Sequence, residues 1–325
     1  MLRSMAAATD TRATADAYRA LTAGAGLVDR SELGKLALTG TQAKELLNGQ
    51  VSNDVEALAP GSGCYATLLT NKGKMLGDLR VLDTGAELLM ITERVALQAL
   101  FDQLRRGAIG WDAELHKRTL QRGLLSLIGP RAREVAAAQD LPGVEHANRA
   151  GSVGGADVLL VATDLGVDVV CAAEETARVR DALLAAGAVA VGEAPAEIVR
   201  VESGRPRYGV DTDDTTIPQE AGLNDRAVSF TKGCYVGQET VARLHWRGKP
   251  NRHLRGLRLS APAERGAPLR LGEREVGRLG SAVVSPRLGP IALAILRREA
   301  SVGDTLGVGD GGVTAQIVEL PFAAG

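Results

Sequence analysis

Cysteine is scarce in this sequence, with three residues in 325: Cys64, Cys171 and Cys234. They lie far apart, are odd in number and form no CxxC pair, which argues against a disulfide framework, a zinc site or an iron–sulfur ligand set. The four histidines show no ligand spacing either, so we assign no metal site. This use of cysteine is typical of a reducing compartment, and we expect a cytoplasmic protein.

A strong charge imbalance and long apolar runs are also lacking. The net charge is −1 with 24% charged residues, which excludes a polycation that coats nucleic acid or a membrane surface. No stretch approaches a membrane span, and the first residues contain no apolar segment of the length that a secretory signal needs. We expect residues 1–10 to form a disordered tail. The 45% of apolar residues can fill two or three domains.

Two stretches of the chain share one order of predicted elements. From Gly123 on, strand-like and helical segments follow one another as β-α-β-β-α-β, the order of a ferredoxin-like module. A similar order precedes it, and there Ala96, Leu100 and Leu104 recur on one face of a predicted helix. The N-terminal two-thirds therefore resembles a diverged duplication of one α+β module.

Beyond Arg252 the pattern changes to short apolar runs that are broken by glycine and proline. Short strands at such spacing predict a small antiparallel β-barrel or sandwich.

The segment between these parts, roughly residues 193–250, has an unusual distribution of charge. Residues 193–223 contain seven acids and three arginines, whereas residues 226–258 contain eight Lys or Arg and a single acid. A groove that binds a flat, polar, anionic ligand would combine charge with aromatic side chains in this way. Four of the nine aromatic residues lie here: Tyr208, Phe230, Tyr235 and Trp246.

The stretch "FTKGCYVGQET", residues 230–240, fits neither a core strand nor a core helix because its apolar residues follow neither period. Cys234 follows Lys232 closely and precedes a predicted helix that begins near Gly237. A nearby ammonium group and a helix N-terminus both favour a thiolate, so we interpret Cys234 as a chemical residue. The alternative for any free cysteine is a small buried apolar side chain, and we keep that interpretation for Cys64 and Cys171.

Two carboxylates are further candidates for ligand binding. Glu202, in "RVESGRPRYGVD", can accept two parallel hydrogen bonds from an amino-pyrimidinone edge, or it can pair with a neighbouring arginine at the surface. Asp78, in "GKMLGDLRVL", interrupts an apolar strand pattern, which indicates either a functional carboxylate or a solvent-facing position.

The basic run over residues 226–258 also has more than one interpretation. It can be an ordinary solvated face, or it can attract a polyanion such as RNA or a polyglutamate tail. The sequence does not separate these alternatives.

Several motifs together resemble the YgfZ-type folate-binding proteins, which are relatives of the glycine-cleavage T-protein, a tetrahydrofolate-dependent aminomethyltransferase. The specific motif is "KGCYVGQE". The T-protein at large shares the patterns "RVESGRPRYGVD", "IPQEAGL", "GLVDRSELGKLALTG", "VSNDV" and "NKGKMLGDLRV". The resemblance runs from about residue 24 to the C-terminus.

The resemblance implies an α+β protein of three domains around a central folate channel. Residues 24–118 and 193–250 would form a split folate-binding domain, residues 119–192 a ferredoxin-like domain, and residues 251–325 the β-barrel. The implied ligand is tetrahydrofolate, with or without a polyglutamate tail. The implied role is the assembly or repair of iron–sulfur clusters in client enzymes, some of which modify tRNA.

The resemblance also transfers residue roles by position. Glu202 matches the pterin-binding glutamate, and Asp78 falls in the aspartate pair of the T-protein, where Gly77 replaces the preceding acid. Because a carboxylate at position 77 would polarise the folate nitrogen, its absence argues against ordinary aminomethyl transfer. The signature motif contributes Lys232, Cys234, Tyr235, Gln238 and Glu239.

We therefore predict a tetrahydrofolate-binding protein that assists iron–sulfur enzymes, with Cys234 and Lys232 as its chemical residues. One alternative is a folate-dependent aminomethyl- or methyltransferase, and another is an RNA-binding accessory factor that acts through residues 226–258. The predicted folate-binding residues are Glu202, Asp78, Tyr208, Tyr235, Gln238 and Glu239.

Overall fold

The structure is a computed structural model that describes residues 14–322, so the predicted tail over residues 1–10 lies outside the described residues. Helix α1 covers residues 14–23 and is followed by strand β1, Gly26–Asp29. Among the described residues, no helix combines the length and apolarity needed to cross a membrane.

The first module is a five-stranded sheet with two helices packed on one face. Its strand order is β3-β4-β5-β2-β6. The helix face predicted from Ala96, Leu100 and Leu104 is buried against this sheet. The elements are β2 Gly34–Thr39, α2 Ala43–Gln50, β3 Gly63–Leu69, β4 Met75–Asp83, β5 Leu88–Thr92, α3 Leu97–Gly107 and β6 Glu114–Lys117.

The second module repeats this topology in a six-stranded sheet, of order β11-β1-β7-β10-β9-β8. Strand β1 pairs in parallel with β11 and antiparallel with β7, and thus lies between the two strands that would otherwise be neighbours. The elements are β7 Arg122–Ile128, α4 Ala132–Val135, β8 Asn148–Val153, β9 Ala156–Ala162, β10 Gly166–Ala172, α5 Thr176–Ala185 and β11 Val189–Ala190.

Both modules therefore run β-α-β-β-β-α-β with corresponding strand orders, and the predicted α+β duplication is confirmed. The sequence pattern missed one strand of the second copy, β8, because "NRAGSV" has little apolar periodicity and buries only its two end residues. It also did not place β1 in the second sheet.

The connecting segment contains three helices: α6 Glu193–Glu202, α7 Asn224–Ala227 and α8 Gln238–Arg247. The predicted domain boundaries stay a prediction, although β1, which was assigned to the first domain, completes the sheet of the second module.

The C-terminal part is one antiparallel sheet of seven strands in the order β14-β13-β17-β18-β12-β16-β15. Strand β14 contacts β16 although the two are not hydrogen-bonded neighbours, so the sheet curls into a half-barrel around its own apolar core. This matches the predicted small barrel. Its strands are β12 Arg252–Leu259, β13 Pro268–Leu271, β14 Arg274–Arg278, β15 Ala282–Ser285, β16 Gly289–Arg297, β17 Thr305–Val308 and β18 Val313–Val318.

The two module sheets pack against each other through the faces that their helices leave uncovered. Leucine, isoleucine and valine side chains of β4, β5, β7, β9 and β10 form the apolar part of this interface. Arg80 of β4 and Asp168 of β10 form an ion pair of 2.5 Å across it, and Ser126 donates a hydrogen bond to Asp168. Beyond this pair the interface becomes polar and opens into a cavity.

Candidate functional site

An open cavity of about 270 Å³ lies between the two module sheets and the segment that runs from α6 to α7. Charged side chains dominate its wall and come from all three parts of the chain. They include Asp78 from the first module, Glu145 and Asp164 from the second, and Arg205 and Arg226 from the connecting segment.

Asp78 is the predicted site residue that the structure places most clearly in the cavity. Its side chain is 8% exposed, and the hydroxyl of Tyr65 donates a 2.7 Å hydrogen bond to its carboxylate. Burial raises the pKa of Asp78 from 3.8 to about 6, while the Tyr65 hydrogen bond opposes the rise and the nearby Glu93 adds to it. A carboxyl group with this pKa can both accept and donate a proton close to neutral pH.

Gly77, the neighbour of Asp78, faces the other side of the sheet. A Cβ at position 77 would lie 2.6 Å from the Cβ of Ala96, at the start of α3. Since successive strand residues point to opposite faces, a carboxylate at this position would not reach the cavity that Asp78 faces. Contrary to expectation, Gly77 therefore does not deprive this cavity of a carboxylate, and a glycine at this position is no evidence against aminomethyl transfer.

Tyr208 also lines the cavity, as predicted for a residue that contacts a flat ligand. It is 9% exposed, and burial raises the pKa of its hydroxyl group. Tyr65, which the sequence analysis passed over, lies in the same wall, so two aromatic rings border a predominantly charged space.

Ion pairs join the arginines and carboxylates of the cavity wall. Arg226 contacts Glu145 at 2.8 Å, and its guanidinium lies 5.1 Å from the ring centre of Tyr65. Arg205 contacts Asp164 at 2.7 Å and Glu145 at 3.5 Å. Burial raises the pKa of both Glu145 and Asp164. Neither carboxylate stands out in the sequence, because Asp164 lies in the short β9–β10 turn and Glu145 in the turn before β8, and acidic residues are common in turns.

His146 is a further residue of the cavity wall that the sequence pattern does not single out. It lines the cavity with a φ of 72°, is 5% exposed, and its Nδ1 has no hydrogen-bond partner among the described residues. Burial and the nearby arginines lower the pKa of His146 to about 3, so the imidazole is neutral. A neutral ring with a free nitrogen can bind a polar ligand atom.

Glu202 has a different environment from that of Asp78. It lies at the end of α6 and does not line the cavity. Its carboxylate accepts hydrogen bonds from Tyr18 of α1 at 2.9 and 3.0 Å, and from Ser285 and Arg287 of the half-barrel. In this structure Glu202 thus links three parts of the chain, and its pterin-binding role stays a prediction.

The "KGCYVGQE" segment lies outside the cavity wall. The ammonium of Lys232 donates to the backbone carbonyls of Asn48, Val51 and Asn53 at 2.5, 2.9 and 2.8 Å, so its three donors are all engaged. Lys232 therefore fastens the segment to the end of α2. Cys234 is exposed beside this anchor.

The remaining signature residues lie just before α8 and in its first turn. Tyr235 is 7% exposed, and burial raises its pKa to about 12, while Gln238 is half-buried and Glu239 is exposed. Gly237 precedes the helix with a φ of 85°, and a Cβ there would lie 2.5 Å from the carbonyl oxygen of Thr70. The helix N-terminus is thus held against the β3–β4 hairpin, a position that only glycine fits without strain.

The basic run over residues 226–258 does not form one face. Arg226 points into the cavity, Lys232 binds backbone carbonyls, and Arg252 contacts Glu220 at 2.8 Å. Arg243 and Arg247 are exposed on α8. These basic residues are close together in sequence, but they make different contacts in the structure.

Comparison with known proteins agrees with this architecture. The family model described as "GCVT N-terminal domain" matches residues 6–232, and the "Glycine cleavage T-protein C-terminal barrel domain" matches residues 252–323. The aminomethyltransferase of Streptomyces coelicolor is 30% identical over 321 residues, which cover 92% of this chain and 86% of that protein. A chloroplastic protein of Arabidopsis thaliana is 27% identical over 320 residues, which cover 95% of this chain and 74% of that protein.

A solved structure shows the same fold. The glycine cleavage system aminomethyltransferase T from Bartonella henselae superposes with a TM-score of 0.85 at 24% identity, over 96% of this chain and 90% of that chain. Because the N-terminal and the C-terminal domain models of the family both match it, this protein belongs to the GCVT family of glycine-cleavage T-protein relatives.

Proposed function

We propose that this chain binds tetrahydrofolate in the central cavity and acts as a folate-dependent one-carbon transferase of the aminomethyltransferase type. The observation that carries the proposal is Asp78, a buried carboxyl group in the cavity wall whose pKa is raised to about 6. Relatives named as aminomethyltransferases support the reaction class.

The residues in the cavity wall fit a pterin-like ligand. Tyr65 and Tyr208 offer aromatic surfaces to a flat ring, and Glu145 and Asp164 offer acceptors to ring N–H groups. The free Nδ1 of His146 is a buried polar atom without a protein partner, and such atoms are usually satisfied by water or ligand.

In the transfer, a ring nitrogen of tetrahydrofolate would form a bond to the one-carbon unit and lose its own proton, while the bond between that unit and the carrier protein breaks and the released carrier group takes up a proton. The protein's part is to exclude water and to handle a proton. In this proposal Asp78 accepts the proton of the ring nitrogen and returns it to the leaving carrier group, and the hydrogen bond from the Tyr65 hydroxyl orients its carboxylate. General acid–base groups of this kind contribute on the order of 10²- to 10⁴-fold to rate.

The test combines binding and turnover. Tetrahydrofolate should bind the wild-type protein in anaerobic titration calorimetry, and the Asp78→Asn variant should bind it within about fivefold while losing at least about 100-fold in transfer from an aminomethylated carrier protein. Asp157→Asn, at an exposed position of β9, is the matched control. An absence of folate binding would refute the proposal, whereas full transfer by Asp78→Asn would remove Asp78 from its role.

A second candidate function rests on a separate observation. Cys234 is exposed on a segment that Lys232 fastens to the first module, an arrangement that presents a thiol to other molecules. As the alternative to the transferase, we propose that the chain is a YgfZ-type protein that supports iron–sulfur enzymes through Cys234, which the resemblance of "KGCYVGQE" to the motif of that group also supports. Deletion of the gene in its host should lower the activity of such enzymes, and a Cys64→Ser copy but not a Cys234→Ser copy should restore it. Equal rescue by both copies would refute this role.

The pterin-binding role of Glu202 can be separated from its structural contacts. Glu202→Gln and Tyr18→Phe both weaken the link between α1 and α6, but only the first alters the carboxylate. If Glu202 binds the pterin, the first variant should weaken tetrahydrofolate binding by about tenfold or more and the second should not. Equal losses in both variants would assign Glu202 to the fold alone.

A further inference from the structure

A second carboxylate lies across the sheet from Asp78. Strands β4 and β5 pair antiparallel, and the last pair of their ladder at this end joins Leu79 to Thr92. One step further in the same register places Glu93 opposite Asp78, and the Thr92 hydroxyl donates a 2.5 Å hydrogen bond to the backbone carbonyl of Asp78 there. Opposite residues of such a pair share a face, with Cβ atoms about 4.5–5.5 Å apart. Both side chains line the cavity.

The charge of Glu93 is only partly balanced by the protein. Its side chain is 30% exposed, and the Nε of Arg207 lies 3.5 Å from its carboxylate. This nitrogen has no hydrogen-bond partner in the described chain, so the two residues form an ion pair without a hydrogen bond. Arg207 is also shared, because its guanidinium contacts Glu193 at 2.6 Å and Glu197 at 3.1 Å. One positive charge therefore serves three carboxylates.

The groups around Asp78 act on it in opposite directions. Burial and the charge of Glu93 raise the pKa of Asp78, because both disfavour a second negative charge at this place. The hydrogen bond from Tyr65 and the positive charge of Arg226 lower it. Arg226 also pairs with Glu145 at 2.8 Å, which reduces its effect on Asp78.

The groups around Glu93 favour its ionised form more strongly. Burial raises the pKa of Glu93, and the charge of Glu193 adds to the rise, but Arg207, Arg30 of the β1–β2 turn and Arg200 of α6 oppose it. Three positive charges thus act on Glu93. It is therefore the member of the two that ionises first as pH rises, and the last proton resides on Asp78.

We propose that Asp78 and Glu93 form a carboxylate pair that holds a single proton at slightly acidic pH, and that Glu93 sets the pH at which Asp78 exchanges this proton. The second acid of the pair comes from the neighbouring strand, since a side chain at position 77 would point away from the cavity. Glu93 acts through Asp78 and is a positioning residue. For the transfer reaction the inference rests on the proposed function: the facing charge makes Asp78 a stronger base toward the ring nitrogen.

The first experiment follows the Asp78 carboxyl group directly and uses no folate. Carbon-13 NMR of protein labelled at the aspartate carboxyl carbons reports each titration, and the Asp78 signal is the one that Asp78→Asn lacks. The wild-type signal should titrate near pH 6. Glu93→Gln should lower the midpoint by about one pH unit, because a like charge is removed. Glu93→Asp keeps the charge, and its midpoint should stay above that of Glu93→Gln.

Glu193→Gln is the matched control. Glu193 contacts the same guanidinium as Glu93 and lines the same cavity, but it does not lie opposite Asp78. Its substitution should shift the Asp78 midpoint by less than about 0.3 pH unit. A shift as large as that of Glu93→Gln would show that a looser Arg207 network changes Asp78, and the pair would be refuted. An unchanged midpoint in Glu93→Gln would refute it as well.

The second experiment measures kcat/KM for transfer from an aminomethylated carrier protein as a function of pH. In the wild-type protein the rate should fall as pH decreases through the Asp78 midpoint, because a protonated Asp78 cannot accept a proton. In Glu93→Gln this fall should move to lower pH by the same amount as the NMR midpoint. If transfer occurs and the fall does not move, Glu93 does not govern Asp78 in the reaction. If the NMR midpoint shifts but the wild-type protein transfers nothing, the proposed function fails and the pair stands.

Discussion

Replacing Asp78 by asparagine should make the protein more stable at neutral pH. The side chain keeps nearly the same size, and Tyr65 can still donate its hydrogen bond to the amide oxygen. What disappears is the buried negative charge, which burial penalises strongly enough to raise the pKa of Asp78 from 3.8 to about 6.

The size and pH dependence of the effect follow from that pKa. Each unit of pKa corresponds to about 1.4 kcal/mol, so the charged carboxylate makes folding less favourable by about 3 kcal/mol at neutral pH. The folded state binds the proton more tightly than the unfolded state, so unfolding free energy falls as pH rises from about 4 to about 6 and is constant above that window. Asparagine does not titrate, and the gain from the substitution should shrink to about half at pH 5.

Urea denaturation followed by circular dichroism measures this difference. Wild type, Asp78→Asn and the exposed control Asp157→Asn are compared at about pH 5 and about pH 7.5. We expect a gain for Asp78→Asn that grows with pH, and no gain for Asp157→Asn. A loss of stability at pH 7.5, or a gain that does not change with pH, would refute the reasoning that Asp78 is held in the cavity at a cost in folding free energy.

Two further predictions concern the signature segment. Gly237→Ala should lower the unfolding free energy by about 1–3 kcal/mol, because Gly237 has a φ of 85° and an added Cβ would collide with the carbonyl oxygen of Thr70. Gly233→Ala should have little effect, since its Cβ would meet nothing within 4 Å. Equal effects of the two substitutions in urea denaturation would contradict this prediction. An alkylating reagent should label the exposed Cys234 first, as followed by mass spectrometry, because Cys171 is buried and burial raises the pKa of Cys64 to about 12. Faster labelling of Cys64 or Cys171 would contradict this prediction.

Periodicity in the sequence predicted most strands and helices because both modules bury regular apolar faces. It could not show that β1 joins the second sheet, since that pairing depends on residues that are far apart in sequence. It also missed β8, which has weak alternation.

Prediction of the site was limited in the same way. Asp78 stood out because an acid within an apolar strand is unusual, and the structure places it in the cavity. His146 and Asp164 gave no such signal because turns commonly contain polar residues, and only the packing of two sheets brings them to the cavity. For Lys232, sequence proximity suggested a partner for Cys234, whereas its donors bind carbonyls of a segment about 180 residues earlier.

The position of β1 sets an order for folding during synthesis. Its four residues precede the first module, yet they pair with β7 and β11, and β11 ends at Ala190. As the chain leaves the ribosome, the first module has all its strands once Lys117 has emerged, whereas the second sheet stays incomplete for about 70 residues more. During that interval β1 has unpaired backbone groups, and the face of the first sheet that later meets the second module is uncovered. A chaperone that recognises extended apolar segments would bind this intermediate.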